Sequence, residues 1–103
     1  MHIVVLVTAS VKKEAEVIVQ ALLKKKLIAC ANIIEGVNSF FWWQGKIDNS
    51  NEVLLIAKSR KSKLPGIIKT VKSLHSYEVP EIIALPIAGG ERKYLRWIDE
   101  SLG

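Results

Sequence analysis

Apolar residues change their spacing along the chain, and each change marks the end of one predicted element. Residues 3–8 are almost all β-branched and show no alternation, which is typical of a strand buried on both faces. From about residue 11 to 26 the apolar residues recur every three or four positions, which predicts a helix with Ser10 as its N-cap. The chain therefore begins with a strand followed by a helix.

A strand pattern resumes after this helix and dominates the middle of the chain. It predicts a second strand over residues 29–47 and a third over residues 52–58. The polar cluster at residues 48–51 is the strongest turn signal between them, and Gln44-Gly45 is a weaker alternative. The two strands together form a long central hairpin.

The rest of the chain alternates between helix and strand. Helical spacing over residues 64–74 predicts a second helix, and an apolar run at residues 82–87 predicts a fourth strand. Pro86 cannot donate a ladder hydrogen bond, so this strand belongs at a sheet edge. A last short helix is predicted over residues 94–102.

This element order predicts one α+β domain over residues 1–103. The order β-α-β-β-α-β, here followed by a helix, is the split βαβ pattern of ferredoxin-like folds. Right-handed crossovers place the first and third strands at the centre of the sheet and the second and fourth at its edges.

Two features of the predicted sheet indicate assembly with other chains. The crossover helices can cover only one face, yet the central strands are apolar on both, which leaves a patch that monomers rarely expose. The third strand is also too short to pair with all of the second, so residues 29–34 would keep unpaired backbone groups. Gly36 and Gly45 are the predicted sites where the long second strand bends or bulges.

Composition and motifs exclude several function classes. The net charge of +5 suggests nucleic-acid binding, but the lysines lie on solvent faces and at helix ends, where they suit the helix dipole. No apolar run approaches the ~18 residues of a membrane span, and the first residues do not resemble a signal peptide. The single cysteine, Cys30, excludes an intrachain disulfide. We expect a cytoplasmic protein that binds neither membranes nor nucleic acids.

Catalytic motifs are absent from the sequence. There is no nucleophile elbow, phosphate-binding loop, dinucleotide fingerprint or zinc-protease motif. The acidic residues are scattered without the spacing of a catalytic pair. We therefore expect a protein that acts by binding and is not an enzyme.

A few polar residues remain as candidates for binding chemistry. Lys58 follows five apolar residues on a central strand, where an unpaired ammonium is costly unless it reaches solvent at the strand's end. Cys30 is most simply a small apolar residue, with a metal or redox role as the alternative. Trp42 and Trp43 point to opposite faces of an extended strand, so at least one of them is expected at an interface.

His75 has two interpretations of equal weight. It ends the predicted second helix, where an imidazolium suits the helix dipole. Together with Glu78 and Glu81 it would also supply nitrogen and oxygen ligands to Cu(II) or Zn(II). The spacing of these residues matches no compact metal motif.

Several segments resemble, in residues, order and spacing, those of the CutA divalent-cation-tolerance family. They are residues 27–33, 42–47, 58, 75–81 and 94–97. The resemblance implies a homotrimer of ferredoxin-like subunits joined edge to edge, with a role in tolerance of copper and other divalent cations and no agreed reaction. It also implies an inter-subunit cleft for a small anion or carboxylate, lined by Cys30, Asn32, Trp43, Lys58, Tyr77 and Pro80.

The same resemblance bears on metal binding. Metal-binding bacterial members carry a cysteine in the first strand and a His-His pair before the tyrosine, whereas this chain has Val7 and Leu74 at those positions. Of those ligands only His75 remains, with Glu78 as a weak addition. No cofactor is therefore required, and Cu(II) or another divalent cation is an optional ligand.

Three other functions stay open. The family trimer resembles that of the PII signalling proteins, which implies small-ligand sensing, and a trimer that only scaffolds other proteins is a further alternative. RNA-binding domains of the RRM class share this element order, but residues 53–57 lack the basic-glycine-aromatic pattern of their stacking strand.

Overall fold

The elements follow the predicted order in the computed structural model, which describes residues 1–103. No helix is long and apolar enough to cross a membrane. The elements are β1 (His2–Ala9), α1 (Lys12–Lys24), β2 (Cys30–Trp43), β3 (Lys46–Arg60), a short 3₁₀ turn (Lys61–Lys63), α2 (Leu64–Leu74), β4 (Ile82–Pro86) and α3 (Arg92–Leu102).

The strands form one antiparallel sheet in the order β2-β3-β1-β4. This confirms that β1 and β3 are central and that Pro86 lies in an edge strand. Alternate residues of the central strands bury against α1 and α2, which cover one side of the sheet. The core is Ile3, Val5, Val7, Ile18, Val19, Leu22, Ile28, Leu55, Ala57, Ile67 and Val71.

The hairpin turn falls at Gln44 and Gly45, so the prediction of a turn at residues 48–51 was wrong. Both turn residues have positive φ, 50° and 77°, as a two-residue type I′ turn requires. Such a turn matches the twist of the flanking strands, and this outweighs the polar composition of residues 48–51. Those residues instead pair with residues 38–41 in the ladder.

Because the turn lies at residues 44–45, before the predicted position, β3 is longer than predicted and pairs with all of β2. Residues 30–34 lie opposite residues 54–58, and the Ala29 N–H donates to the Lys58 carbonyl oxygen (2.8 Å). The expectation that residues 29–34 have no partners in the third strand was therefore wrong. Only the outer edge of β2 remains without a neighbouring strand.

Gly36 lies in a β-bulge, as predicted for this glycine. Residues 34–37 of β2 oppose only residues 52–54 of β3, and Gly36 has a φ of 74°. The extra residue inverts the alternation of β2, so even-numbered residues face the helix side beyond the bulge. The aromatic residues near the turn therefore alternate, with Phe40 and Trp42 on the helix side and Phe41 and Trp43 on the other.

The sheet side opposite α1 and α2, which we call the open face, is covered by α3 at one end. Ile98 and Leu102 of this helix are buried. Asp99 anchors the helix, because its Oδ1 lies 3.0 Å from His2 Nε2 and 3.6 Å from Arg60 Nη1. The helix thus closes over the end of the open face where β1 begins and β3 ends.

The rest of the open face carries exposed apolar side chains. Ile34, Ile83 and Leu85 are 45%, 49% and 49% exposed. The last helix therefore covers only one end of this face.

Glu14 ties the start of α1 to the loop that follows α2. The prediction that Ser10 is the N-cap was wrong, because Val11 holds that position without a side-chain cap. Instead, one Glu14 oxygen accepts from the Ser10 N–H (3.0 Å) and hydroxyl (3.1 Å), and the other accepts from the Ser76 N–H (2.8 Å). Burial raises the pKa of Glu14, but the hydrogen bonds from Ser76 and Ser10 outweigh it and hold this pKa below its usual value.

Gly45→Ala tests the turn. An alanine at a φ of 77° should lower the free energy of unfolding by roughly 1–2 kcal/mol, because a Cβ is strained in the left-handed region. Gly89→Ala is the matched control, since its φ is not positive and an added Cβ meets open space. Urea unfolding at one protein concentration compares them, and equal losses would contradict the assigned turn.

Glu14→Gln tests the loop anchor through its pH dependence. At pH 7 we expect the variant to be about 1 kcal/mol less stable, because hydrogen bonds to a charged acceptor are lost. The folded-state pKa lies below the unfolded one, so the difference should be complete above about pH 4.3 and shrink as the pH falls through the folded-state pKa. Glu16→Gln, at an exposed position of the same helix, should show no such profile; a pH-independent Glu14 effect would contradict the account.

Candidate functional site

Three of the predicted cleft residues meet on the open face where β2 pairs with β3. Cys30 lies directly opposite Lys58 in the ladder, and Lys58 Nζ donates to Asn32 Oδ1. Lys58 is partly buried as a residue, its hydrogen bond to Asn32 is exposed to solvent, and its ammonium forms no ion pair. It therefore keeps donors free beside a neutral amide and a thiol.

Tyr94 belongs to α3, which covers this end of the open face, and it completes the group. Its position there could not be foreseen in the sequence. Its hydroxyl lies 3.5 Å from Cys30 Sγ, and its ring packs against Trp97 with centroids 5.5 Å apart. The hydrogen bond with Cys30, followed by burial, raises the pKa of the Tyr94 hydroxyl. We call Cys30, Asn32, Lys58 and Tyr94 the lysine cluster.

Cys30 is half-buried, so it is not the fully enclosed apolar residue of the simplest interpretation. Trp97 is 42% exposed. Both side chains contribute to the surface around the lysine cluster.

A second group lies further along β3. The Tyr77 hydroxyl donates to Glu52 Oε2 at 2.8 Å, and Glu52 is only 9% exposed. Burial and the Glu52 carboxylate raise the pKa of Tyr77 to about 12. Tyr77 therefore keeps its proton at neutral pH and serves as a fixed donor to a buried acid. We call this pair the tyrosine cluster.

His75 is held tightly beside the tyrosine cluster. Its Nε2 donates to the Thr8 carbonyl oxygen (2.7 Å), while its Nδ1 accepts from the Tyr77 N–H (3.0 Å). This arrangement fixes a neutral tautomer and engages both ring nitrogens within the chain. A metal ion would have to displace one of these hydrogen bonds to reach His75.

The two other proposed metal ligands are more accessible. Glu78 and Glu81 are exposed in the loop between α2 and β4. No three His, Cys, Asp or Glu side chains of the chain converge in a way that could hold a metal ion.

One chain does not gather the predicted cleft residues into a single pocket. Glu52 and Lys58 share the open face of β3 but lie about 20 Å apart along it. Trp43 lies still further away beside the turn, opposite Lys46, and is 60% exposed. Pro80 lines a separate groove between α2 and β4. The cleft itself remains a prediction.

Sequence reasoning missed Glu52 and Glu14 as well as Tyr94. Glu52 follows a polar cluster that was predicted as a turn, so nothing marked it as a buried strand residue. Glu14 lies in the first turn of α1, and nothing in the sequence indicated its contact with the loop after α2. A partner distant in sequence gives each of these residues its role.

Comparison with known proteins agrees with the fold and extends over almost the whole chain. Residues 3–101 match the model of the family described as CutA1 divalent ion tolerance protein. The Divalent-cation tolerance protein CutA of Thermus thermophilus is 44% identical over 103 residues, which cover all of both chains. The rice Protein CutA 1, chloroplastic, is 46% identical over 99 residues, or 96% of this chain but 56% of the rice protein.

A solved structure gives the same result. The chain superposes with a TM-score of 0.97 on the structure titled as the periplasmic divalent cation tolerance protein CutA from Archaeoglobus fulgidus, at 45% identity and with both chains fully covered. Family model, relatives and structure agree over the same residues. This chain therefore belongs to the CutA1 divalent ion tolerance family.

Proposed function

We propose that this chain is a non-catalytic binding protein in the response to divalent metal ions, and that it acts as a homotrimer with ligand sites between subunits. The family description supports the link to divalent ions. The number of subunits rests on the resemblance to the family. One observation supports a site between subunits: a single chain holds the predicted cleft residues in separate groups.

Several exposed features support assembly. The apolar side chains of Ile34, Ile83 and Leu85 remain uncovered on the open face, where burial would be favourable. The outer edges of β2 and β4 each offer unpaired backbone groups to a second copy. A closed ring of copies would satisfy both edges of every sheet.

The lysine cluster supports a small anion or carboxylate as the ligand. The Lys58 ammonium has an amide oxygen as its side-chain partner, so a ligand carboxylate would replace a neutral contact by a charged one. The Tyr94 hydroxyl lies within the same group and adds a further donor or acceptor. This chemistry also fits the alternative of a PII-like small-ligand sensor.

A divalent cation is the second proposed ligand. The exposed carboxylates of Glu78 and Glu81 lie in the loop that begins at His75. Because both nitrogens of His75 are engaged, Cu(II) binding through it would require the loop to open or ligands from a neighbouring subunit.

Lys58→Gln tests the anion site. Titration calorimetry with citrate should show binding to the wild type that is about tenfold or more weaker in the variant, since a hydrogen bond to a charged group contributes roughly 1.5–3 kcal/mol. Lys69→Gln is the control, because Lys69 is an exposed lysine of α2. Equal affinities in all three proteins would remove Lys58 as an anion-binding residue.

Cu(II) titration separates the metal proposal from the anion proposal. We expect His75→Ala and Glu78→Gln each to weaken Cu(II) binding while His2→Asn, which removes the other imidazole of the chain, leaves it unchanged. Far-UV circular dichroism checks that each variant is folded. Indistinguishable isotherms for the wild type and the folded His75→Ala variant would exclude His75 as a ligand.

A further inference from the structure

The tip of the β2–β3 hairpin carries a large exposed apolar patch. Phe40, Trp42 and Ile47 are 67%, 74% and 68% exposed. Trp42 pairs with Ile47 in the ladder, and Phe40 lies two residues before Trp42, so all three lie on the helix side. Aromatic side chains of this size bury about 150–250 Å² each when they are covered. We call these three residues the tip patch.

The tip patch has no cover within its own chain. Residues 38–51 pair only with one another across the hairpin, and the buried part of β3 begins at Glu52. The chain is 45 Å long and only 26 Å by 22 Å across. The hairpin tip therefore extends past the helices that cover the rest of the sheet.

A groove large enough for one aromatic side chain lies at the opposite edge of the sheet, on the same side of the sheet as the tip patch. It has a volume of about 210 Å³ and is lined by Ile68 and Lys72 of α2, the loop residues Glu78, Val79 and Pro80, and Ile82 of β4. Val79 at its rim is 87% exposed. The groove is smaller than the roughly 300–1,000 Å³ of small-molecule pockets, but it suits a single large side chain.

We propose that Trp42 of one copy docks into this α2–β4 groove of a second copy. The inference rests on the assembly proposed above and names the residues that the two copies bring together. β2 and β4 are the two edges of the sheet, and the tip patch and the groove lie on the same side of it. Copies placed edge to edge therefore bring one copy's tip patch over the next copy's groove.

Size and chemistry both favour a second copy as the occupant. The tip patch offers a few hundred Å² of apolar surface, which is a substantial share of the ~800 Å² per partner of a stable interface. A buried indole N–H needs an acceptor, and the exposed Glu78 carboxylate at the groove supplies one. The contact joins two different surfaces, so repeated copies can close into a ring.

One chain cannot make this contact with itself. β3 and β1 separate β2 from β4, which places the two edges about 14 Å apart across the ladder. The hairpin tip also lies beyond the last β1–β3 pair, in which Ala9 faces Val53, and so extends past the end of the neighbouring strands. Docking between copies would bring Trp43, on the other side of the same tip, close to the loop that begins after the second copy's Tyr77. The predicted cleft would then contain residues from two copies.

Thiol cross-linking tests the docking directly. Cys30 is the only cysteine, so Cys30→Ser provides a background in which Asn49→Cys and Val79→Cys introduce one thiol beside each surface. Asn49 is exposed and pairs with Phe40 on the side of the sheet that carries Trp42, so the docking side chain is kept. A short bismaleimide should convert most of this protein into covalent oligomers on a denaturing gel. The matched control combines Asn49→Cys with Lys24→Cys, which lies on the exposed side of α1, and should stay largely uncross-linked.

Light scattering on the same samples separates the two proposals. An oligomer in which Asn49→Cys and Val79→Cys cross-link no better than the control overturns this docking and leaves the assembly intact. A monomer overturns both. Trp42→Ser adds a second measurement: we expect its oligomer to dissociate at higher protein concentration than the wild type, and an unchanged dissociation profile contradicts the docking.

Discussion

The register of the β2–β3 ladder fixes which side chains meet on each side of the sheet. The turn at Gln44 and Gly45 sets Trp43 opposite Lys46, and the ladder carries that register to Cys30 opposite Lys58. A slip of one residue would exchange the two faces of the strand. The lysine cluster exists on the open face because this turn and the Gly36 bulge together fix the pairing.

The same register divides the candidate site along the open face. β3 carries Lys58 near one end and Glu52 about 20 Å away, where the bulge begins. α3 folds over the first position and brings Tyr94 to Cys30, while the loop after α2 brings Tyr77 to Glu52. The two clusters therefore lie at separate positions along one ladder, held by different elements of the chain.

Much of the fold could be predicted from the sequence because it follows from local patterns. Unbroken apolar runs marked the central strands, Pro86 marked an edge, and Gly36 marked the bulge. The turn could not be placed correctly, because four consecutive polar residues at 48–51 resemble a turn more closely than Gln44-Gly45 does. The choice depends on backbone twist, which composition does not report.

The candidate site was less predictable for a different reason. Lys58 stood out because a charge followed an apolar run, and its contact with Asn32 lies across a single strand pair. Tyr94 and Glu52 gave no such signal. The partner of Tyr94 lies 64 residues away in sequence and that of Glu52 lies 25 residues away, so only the folded chain brings either pair together.

We propose that one subunit holds an incomplete site which assembly completes. Size-exclusion chromatography with light scattering tests this proposal, because it measures the mass of the assembly without reference to any ligand. We expect a single species with the mass of three 11.5 kDa chains at micromolar concentration. A stable monomer under those conditions would contradict it.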